Sequence, residues 1–179
     1  EDLQPCATAR RLKLSTLASK RWSLVGTGFV LGAPGCLAFA PYRWYWLMPL
    51  LLAALAALAS HAPTWRRAWW AGFGFGLGYF LFGVGWVYVS MHDFGGMPLP
   101  VAAFATLLFS AYLAMFPAAA TALLASNGRS AGIRLGLLFP AAWALTEWMR
   151  GWIFTGFPWL AAGYSQVPHG PLGAFAPVL

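Results

Sequence analysis

Charge is scarce in this sequence. Only 8% of its 179 residues are ionisable as Asp, Glu, Lys or Arg, and 60% are hydrophobic, whereas a soluble domain carries roughly 25% charged residues. That ratio cannot clothe a water-facing surface, so an ordinary soluble domain is excluded. Acidic residues are rarer still, four against eleven basic ones. The resulting charge of +7 would suit nucleic acid only if the basic residues formed a groove or stripe. Instead they flank hydrophobic runs, as membrane topology signals do. Cysteine is nearly absent. Cys6 lies in the basic leader and Cys36 in an apolar run, too few for a disulfide framework and not expected to pair, and no zinc-type spacing occurs. No metal and no cofactor is expected. The alternating segments of about ten residues that a β-barrel needs are also missing.

What the sequence has is long apolar runs, and runs of roughly 20 such residues suit bilayer-spanning helices. The expected fold is an all-α polytopic integral membrane protein with about five transmembrane helices. Their expected positions are Trp22–Ala40, Trp44–Ser60, Ala68–Met91, Met97–Ala125 and Gly132–Met149. Short turn-rich connections separate them: "APYRW", "HAPTWRRAW", "HDFGG" and "SNGRSAGIR". Three regions result: a basic leader over 1–21, a helical membrane domain over 22–150 and an outer-face loop over 151–179. Arg10, Arg11, Lys13, Lys20 and Arg21 precede the first run, Arg66 and Arg67 follow the second, and Arg129 and Arg134 follow the fourth. Only Arg43 and Arg150 lie on the other side. The positive-inside rule therefore puts the N-terminus in the cytoplasm and the Trp/Gly/Pro-rich loop outside. "ARRLKLS" and "APGC" loosely resemble export and lipoprotein signals, but hydrophobic spans rather than a soluble domain follow. The leader reads as the charged anchor of a retained first helix.

The third run carries six glycines. Gly72, Gly76 and Gly83 fall on one helical face and Gly74, Gly78 and Gly85 on the other, which predicts a helix packed closely between two neighbours. G-x-G-x-x-G spacing does not occur among them, so a dinucleotide fingerprint is excluded. Ser90, His92 and Asp93 superficially suggest a triad, but catalytic side chains converge from separate segments; turn formation is the expected role. His61 and His169 have no ligand partners at useful spacing and read as interfacial.

"EWMRGWIFTGFPWL" (147–160) is the most informative stretch. Glu147 is the one carboxylate attached to a span, and an acid at membrane depth needs a partner and a reason. Arg150 is three residues on, on the same face, with Trp143 one turn earlier. A structural ion pair and a contact to a lipid headgroup are both open. Pro158 biases Phe157 to extended backbone and Gly156 permits a sharp turn. Trp152 and Trp159 are thus held by a constrained segment, beyond what an ordinary aromatic belt requires.

The stretches "LAFAPYRWYWL" (37–47), "GFGLGYFLFGVGWVYVSMHDFGGMP" (74–98), "AWALTEWMRGWIFTGFPWLAAGYSQ" (142–166) and "GPLGAFAP" (170–177) carry a resemblance. In order and spacing they resemble the membrane portion of bacterial apolipoprotein N-acyltransferases. The resemblance implies a multi-pass enzyme of the bacterial inner membrane acting at the last step of lipoprotein maturation. Such an enzyme moves an acyl chain from a phospholipid, typically phosphatidylethanolamine, to the N-terminal amine of a diacylglyceryl-cysteine lipoprotein. It implies ping-pong chemistry through a Cys thioester in a nitrilase-like domain with a Glu-Lys-Cys triad. That domain is expected beyond Leu179, the chain reading as an excerpt inactive alone. No residue here is therefore a candidate catalyst: Glu147 belongs to the membrane motif, Lys13 and Lys20 lie on the wrong side, and Cys36 is within a span. The residues carried over to lipid and substrate handling are Trp159 first, then Tyr164, Glu147 and Arg150, with Trp152 and Phe157 in the same loop. The alternative is a transporter or channel module, which predicts ionisable residues deep in several spans or helices interrupted at mid-membrane. A purely structural anchor would not need the outer aromatic motifs.

Overall fold

The computed structural model describes residues 21–126, 130–167, 170, 171 and 173. Most of the basic leader with Cys6, together with Arg129, His169 and the last residues, lies outside that set. The described residues form helices and turns, with no strand among them. Five principal helices follow the five apolar runs: α1 (Arg21–Gly32), α2 (Leu47–Ser60), α3 (Trp65–Gly83), α4 (Leu99–Ser126) and α5 (Phe139–Arg150).

Their lengths correct the simple picture of five uninterrupted spans. Among the described residues, α4 alone is long and apolar enough by itself, with 28 residues and a mean hydropathy of 1.9; α3 qualifies only together with Trp86–Phe94, to which it is bent by 49°. At 1.5 Å per residue, the 12 residues of α1 and 14 of α2 rise about 18 and 21 Å, against roughly 30 Å of hydrocarbon. Proline and glycine explain the breaks. Pro34 opens a 3₁₀ turn over Ala33–Ala38 that prolongs α1. Val84, between Gly83 and Gly85, leaves helical geometry (φ −112°, ψ 18°) where α3 bends. Pro140 has no N–H to return to the preceding turn, and the chain before it widens into a π turn over Arg134–Leu138.

α3 lies at the centre, with Phe75, Tyr79 and Phe80 buried. One face meets α1 and the opposite face meets α4. The glycines make this approach possible. A Cβ at Gly74 or Gly78 would run into the backbone of Val25 or Phe29 on α1, and one at Gly72 or Gly76 into Pro117, Thr121 or Ala114 on α4. The expected sandwich is therefore built. The pairs also give direction: α1 and α3 run parallel, α4 antiparallel to both. Thr121 Oγ1 on α4 donates across the interface to the Ala68 carbonyl at 2.9 Å, a polar tie of the kind that joins membrane helices. Gly85 departs from the expected pattern, since a Cβ there would meet only carbonyls of its own chain segment, Leu81 and Phe82. The bend after Gly83 has carried it off the α1-facing side.

Candidate functional site

α5 stops at Arg150, and the chain reverses through Ile153–Thr155, a 3₁₀ turn in which Phe154 (φ 50°) and Thr155 (φ 74°) adopt left-handed backbone. Gly156 follows at φ 80°, where a Cβ would overlap the Gly151 carbonyl. Strain of this kind persists only where surrounding contacts hold it, and the contacts are specific. The Arg150 guanidinium, 2% exposed, donates through Nη1 to the carbonyls of Phe157 and Trp159, each at 2.6 Å. Its Cζ stands 5.1 Å from the centroid of the Phe80 ring. Glu147 Oε1 accepts the Ala162 N–H at 2.8 Å and lies 3.9 Å from Arg150 Nη2. From below, the buried Tyr79 hydroxyl donates to the Leu160 carbonyl at 2.8 Å. The Leu160 side chain meets Gly83, filling the space that a Cβ would take. Farther on, Gln166 Nε2 donates to the Tyr45 carbonyl at 3.0 Å, tying the loop to the connection before α2.

This bracing holds an aromatic rim over an apolar groove of about 580 Å³, within the roughly 300–1,000 Å³ of small-ligand sites. Phe39, Pro41, Phe82, Trp86, Trp159 and Tyr164 line it. The Trp86 and Trp159 rings are 6.1 Å apart. Trp159 is 55% and Tyr164 59% exposed, which leaves two polar-tipped rings of the lining open to the surroundings. Such rings suit a boundary between an apolar tail and a wet headgroup.

The structure divides the expected residues by role. Trp159 and Tyr164 line the groove. Glu147 and Arg150 are the internal brace of its loop, so the structural side of the two readings left open for them is realised in these contacts. Phe157 is half-buried and packs edge-on against Phe109 at 5.0 Å, supporting the loop from beneath. Trp152 is exposed and neighbours Trp148 at 6.3 Å, outside the groove lining. Ser90, His92 and Asp93 close a turn as expected: the Ser90 carbonyl accepts the Gly95 N–H at 3.0 Å and His92 Nδ1 donates to the Met97 carbonyl at 2.8 Å. Among the described residues no cluster of His, Cys, Asp and Glu could hold a metal.

Sequence reading missed Tyr79, Leu160 and Gln166. Tyr79 had a signal, since a phenol in the middle of a glycine-rich apolar helix needs a hydrogen-bond partner.

Comparison with known proteins agrees with the motifs. Residues 31–179 match the family model described as the apolipoprotein N-acyltransferase N-terminal domain. The apolipoprotein N-acyltransferase of Chromobacterium violaceum is 50% identical over 147 residues, covering 82% of this chain and 28% of that protein. That of Ralstonia nicotianae is 51% identical over 153 residues, covering 84% and 29%, and that of Vibrio vulnificus 43% identical over 155 residues, covering 86% and 30%. The chain thus spans less than a third of the length of these relatives. With a family match over residues 31–179 and about half of the aligned residues identical to the first two of these relatives, this chain belongs to the apolipoprotein N-acyltransferase family.

Proposed function

We propose that this chain is the lipid-handling membrane domain of an N-acyltransferase that transfers an acyl chain from a phospholipid to the N-terminal amine of a diacylglyceryl-cysteine lipoprotein. The observation that carries the reading is the braced aromatic groove, whose rim includes Trp159 of the "GFPW" turn. Trp159 and Tyr164 hold the boundary between headgroup and tail, while Arg150 and Glu147 keep the loop in place. Phosphatidylethanolamine is the proposed donor. In this reading the acyl group passes through a Cys thioester in a nitrilase-like domain of the whole protein, and residues 1–179 alone are inactive. The membrane domain occupies 22–150, with the leader 1–21 cytoplasmic and the loop 151–179 on the periplasmic side of the inner membrane. Large exposed apolar side chains such as Val30, Phe104, Leu108 and Leu137 support burial in lipid, since water-facing surfaces rarely carry so many.

The test uses the full-length protein in detergent micelles with phosphatidylethanolamine as donor and a diacylglyceryl lipopeptide as acceptor. Trp159→Ala is expected to lower kcat/KM for the phospholipid roughly tenfold, about 1.4 kcal/mol of lost transition-state stabilisation. Unchanged kcat/KM in both Trp159→Ala and Tyr164→Ala would remove the groove from the mechanism. Absence of transfer by the wild-type protein would remove the activity itself.

A further inference from the structure

The lining of the aromatic groove comes from three stretches far apart in the chain, within 36–42, 82–86 and 159–167. The second is the end of α3 and the bend after it. The first and third are turns, so the groove keeps its width only if something fixes them to each other.

Each turn is closed on itself. In the first, the Trp44 N–H donates to the Leu37 carbonyl at 3.0 Å and the Arg43 N–H to the Phe39 carbonyl at 2.8 Å. Tyr45 follows directly, its own N–H donating to the Arg43 carbonyl at 2.9 Å. The third contains a 3₁₀ turn over Ala162–Gln166, in which Ser165 Oγ donates to the Ala162 carbonyl at 2.7 Å.

Gln166 joins the two. It is 8% exposed and is not part of the groove lining. One Nε2 proton goes to the Tyr45 carbonyl at 3.0 Å and the other to Ser165 Oγ at 3.1 Å, so both donors of the amide are used. Ser165 passes the tie to the Ala162 carbonyl, and the Ala162 N–H is held by Glu147. The bonds therefore run without a gap from the Glu147–Arg150 brace to the turn that carries Phe39 and Pro41. Gly170 leaves the carboxamide its room, since a Cβ there would run into Gln166 Oε1. The lining rings of Phe39, Pro41, Trp159 and Tyr164 are themselves rigid, so they yield to a wider ligand only if the turns that carry them separate.

We propose that Gln166 is a positioning residue of the aromatic groove, holding 37–45 to 159–167 at a spacing that admits a straight acyl chain and rejects a branched one. The proposal rests on the reading of this groove as the acyl site for the phospholipid, and it places chain selectivity on a residue that the chain does not touch.

The experiment uses the full-length protein in detergent micelles, with dipalmitoyl and diphytanoyl phosphatidylethanolamine as alternative donors. The second carries methyl branches along the same length of chain. Wild type is expected to favour the straight donor in kcat/KM. Gln166→Met keeps the reach of the side chain and removes its donors. It should raise KM for the straight donor about fivefold, as loss of one hydrogen bond does, with kcat unchanged, and it should raise kcat/KM for the branched donor. Ser165→Ala, which leaves the bond to Tyr45, should shift the preference the same way by a smaller factor. A gain with the branched donor is a result that loss of stability does not produce. Equal use of both donors by wild type would overturn the proposal, as would an unchanged preference in Gln166→Met.

Cys36 lines the groove and gives a second readout that needs no acyl transfer. Labelling of its peptide by pyrenyl maleimide relative to N-ethylmaleimide, measured by mass spectrometry, should rise in Gln166→Met; an unchanged ratio would show that Gln166 does not set the width. If wild type transfers no acyl chain while this ratio still rises, the acyl-transfer reading fails and the positioning role of Gln166 stands.

Discussion

The Arg150 guanidinium holds the loop with two short bonds from one nitrogen, to the Phe157 and Trp159 carbonyls, while Glu147 holds the same loop three residues later through the Ala162 N–H. Hydrogen bonds to a charged group are worth about 1.5–3 kcal/mol each, and breaking a buried pair by removing one partner costs about 3–5 kcal/mol. Arg150→Met should therefore lower the thermal unfolding midpoint of the full-length protein in detergent, by an amount equivalent to several kcal/mol, and increase the acrylamide quenching of the already half-exposed Trp159. Arg150→Lys should recover only part of this, because a point charge lacks the planar fork of donors. An unaltered midpoint and quenching profile in Arg150→Met would mean that the loop holds its shape without the brace. Little of this was legible beforehand. The Glu147–Arg150 pair is three residues apart and visible in the motif, whereas Tyr79 and Leu160 are 81 residues apart, and Gln166 and Tyr45 are 121 apart. No local pattern encodes such a meeting.

Helices pack here by letting backbones touch, and that makes glycine position a sharper variable than glycine content. Gly26 and Gly32 are on the same helix, α1, yet a Cβ at Gly32 would overlap the backbone of Phe75 on α3 and one at Gly26 would touch nothing. Gly32→Ala should destabilise the α1–α3 contact by about 1–3 kcal/mol through overpacking. Gly26→Ala should be neutral or stabilising by up to about 1 kcal/mol through helix propensity. Equilibrium unfolding of the two variants in mixed micelles checks the contrast, and equal effects would show that α1 adjusts its distance from α3. The two-faced glycine pattern of α3 was readable because a 3.6-residue period sorts positions without knowledge of the neighbours. The breaks were not, because an apolar run reads the same whether its backbone is α, 3₁₀ or π. Pro34 and Pro140 were the available signals, and hydropathy alone passes over them.

At the scale of the whole molecule, the alternating direction of the helices turns a one-dimensional charge count into a claim about sides. α1 and α3 run parallel and α4 runs antiparallel to them, as their glycine contacts show, so the connection from α2 to α3 and the loop after α5 emerge at opposite ends. Arg66 and Arg67 mark the first end, and the aromatic groove with Trp159 marks the second. In the proposed orientation the positive-inside rule assigns the Arg66 end to the cytoplasm, and the proposed lipid-handling groove with Trp159 then faces the periplasm. Single cysteines decide this in the full-length protein after every other cysteine has been replaced. Phe154→Cys, at an 83% exposed position, should react in intact spheroplasts with a membrane-impermeant maleimide. Thr64→Cys, exposed on the connection before α3, should react only after permeabilisation. The reverse pattern would put the aromatic groove in the cytoplasm and the Arg66 end outside. Labelling of both sites in intact spheroplasts would instead show that α3, α4 and α5 do not together carry the chain across an odd number of times. The bend after Gly83 gives this second outcome its weight, because a re-entrant α3 would return the chain to the side from which it entered.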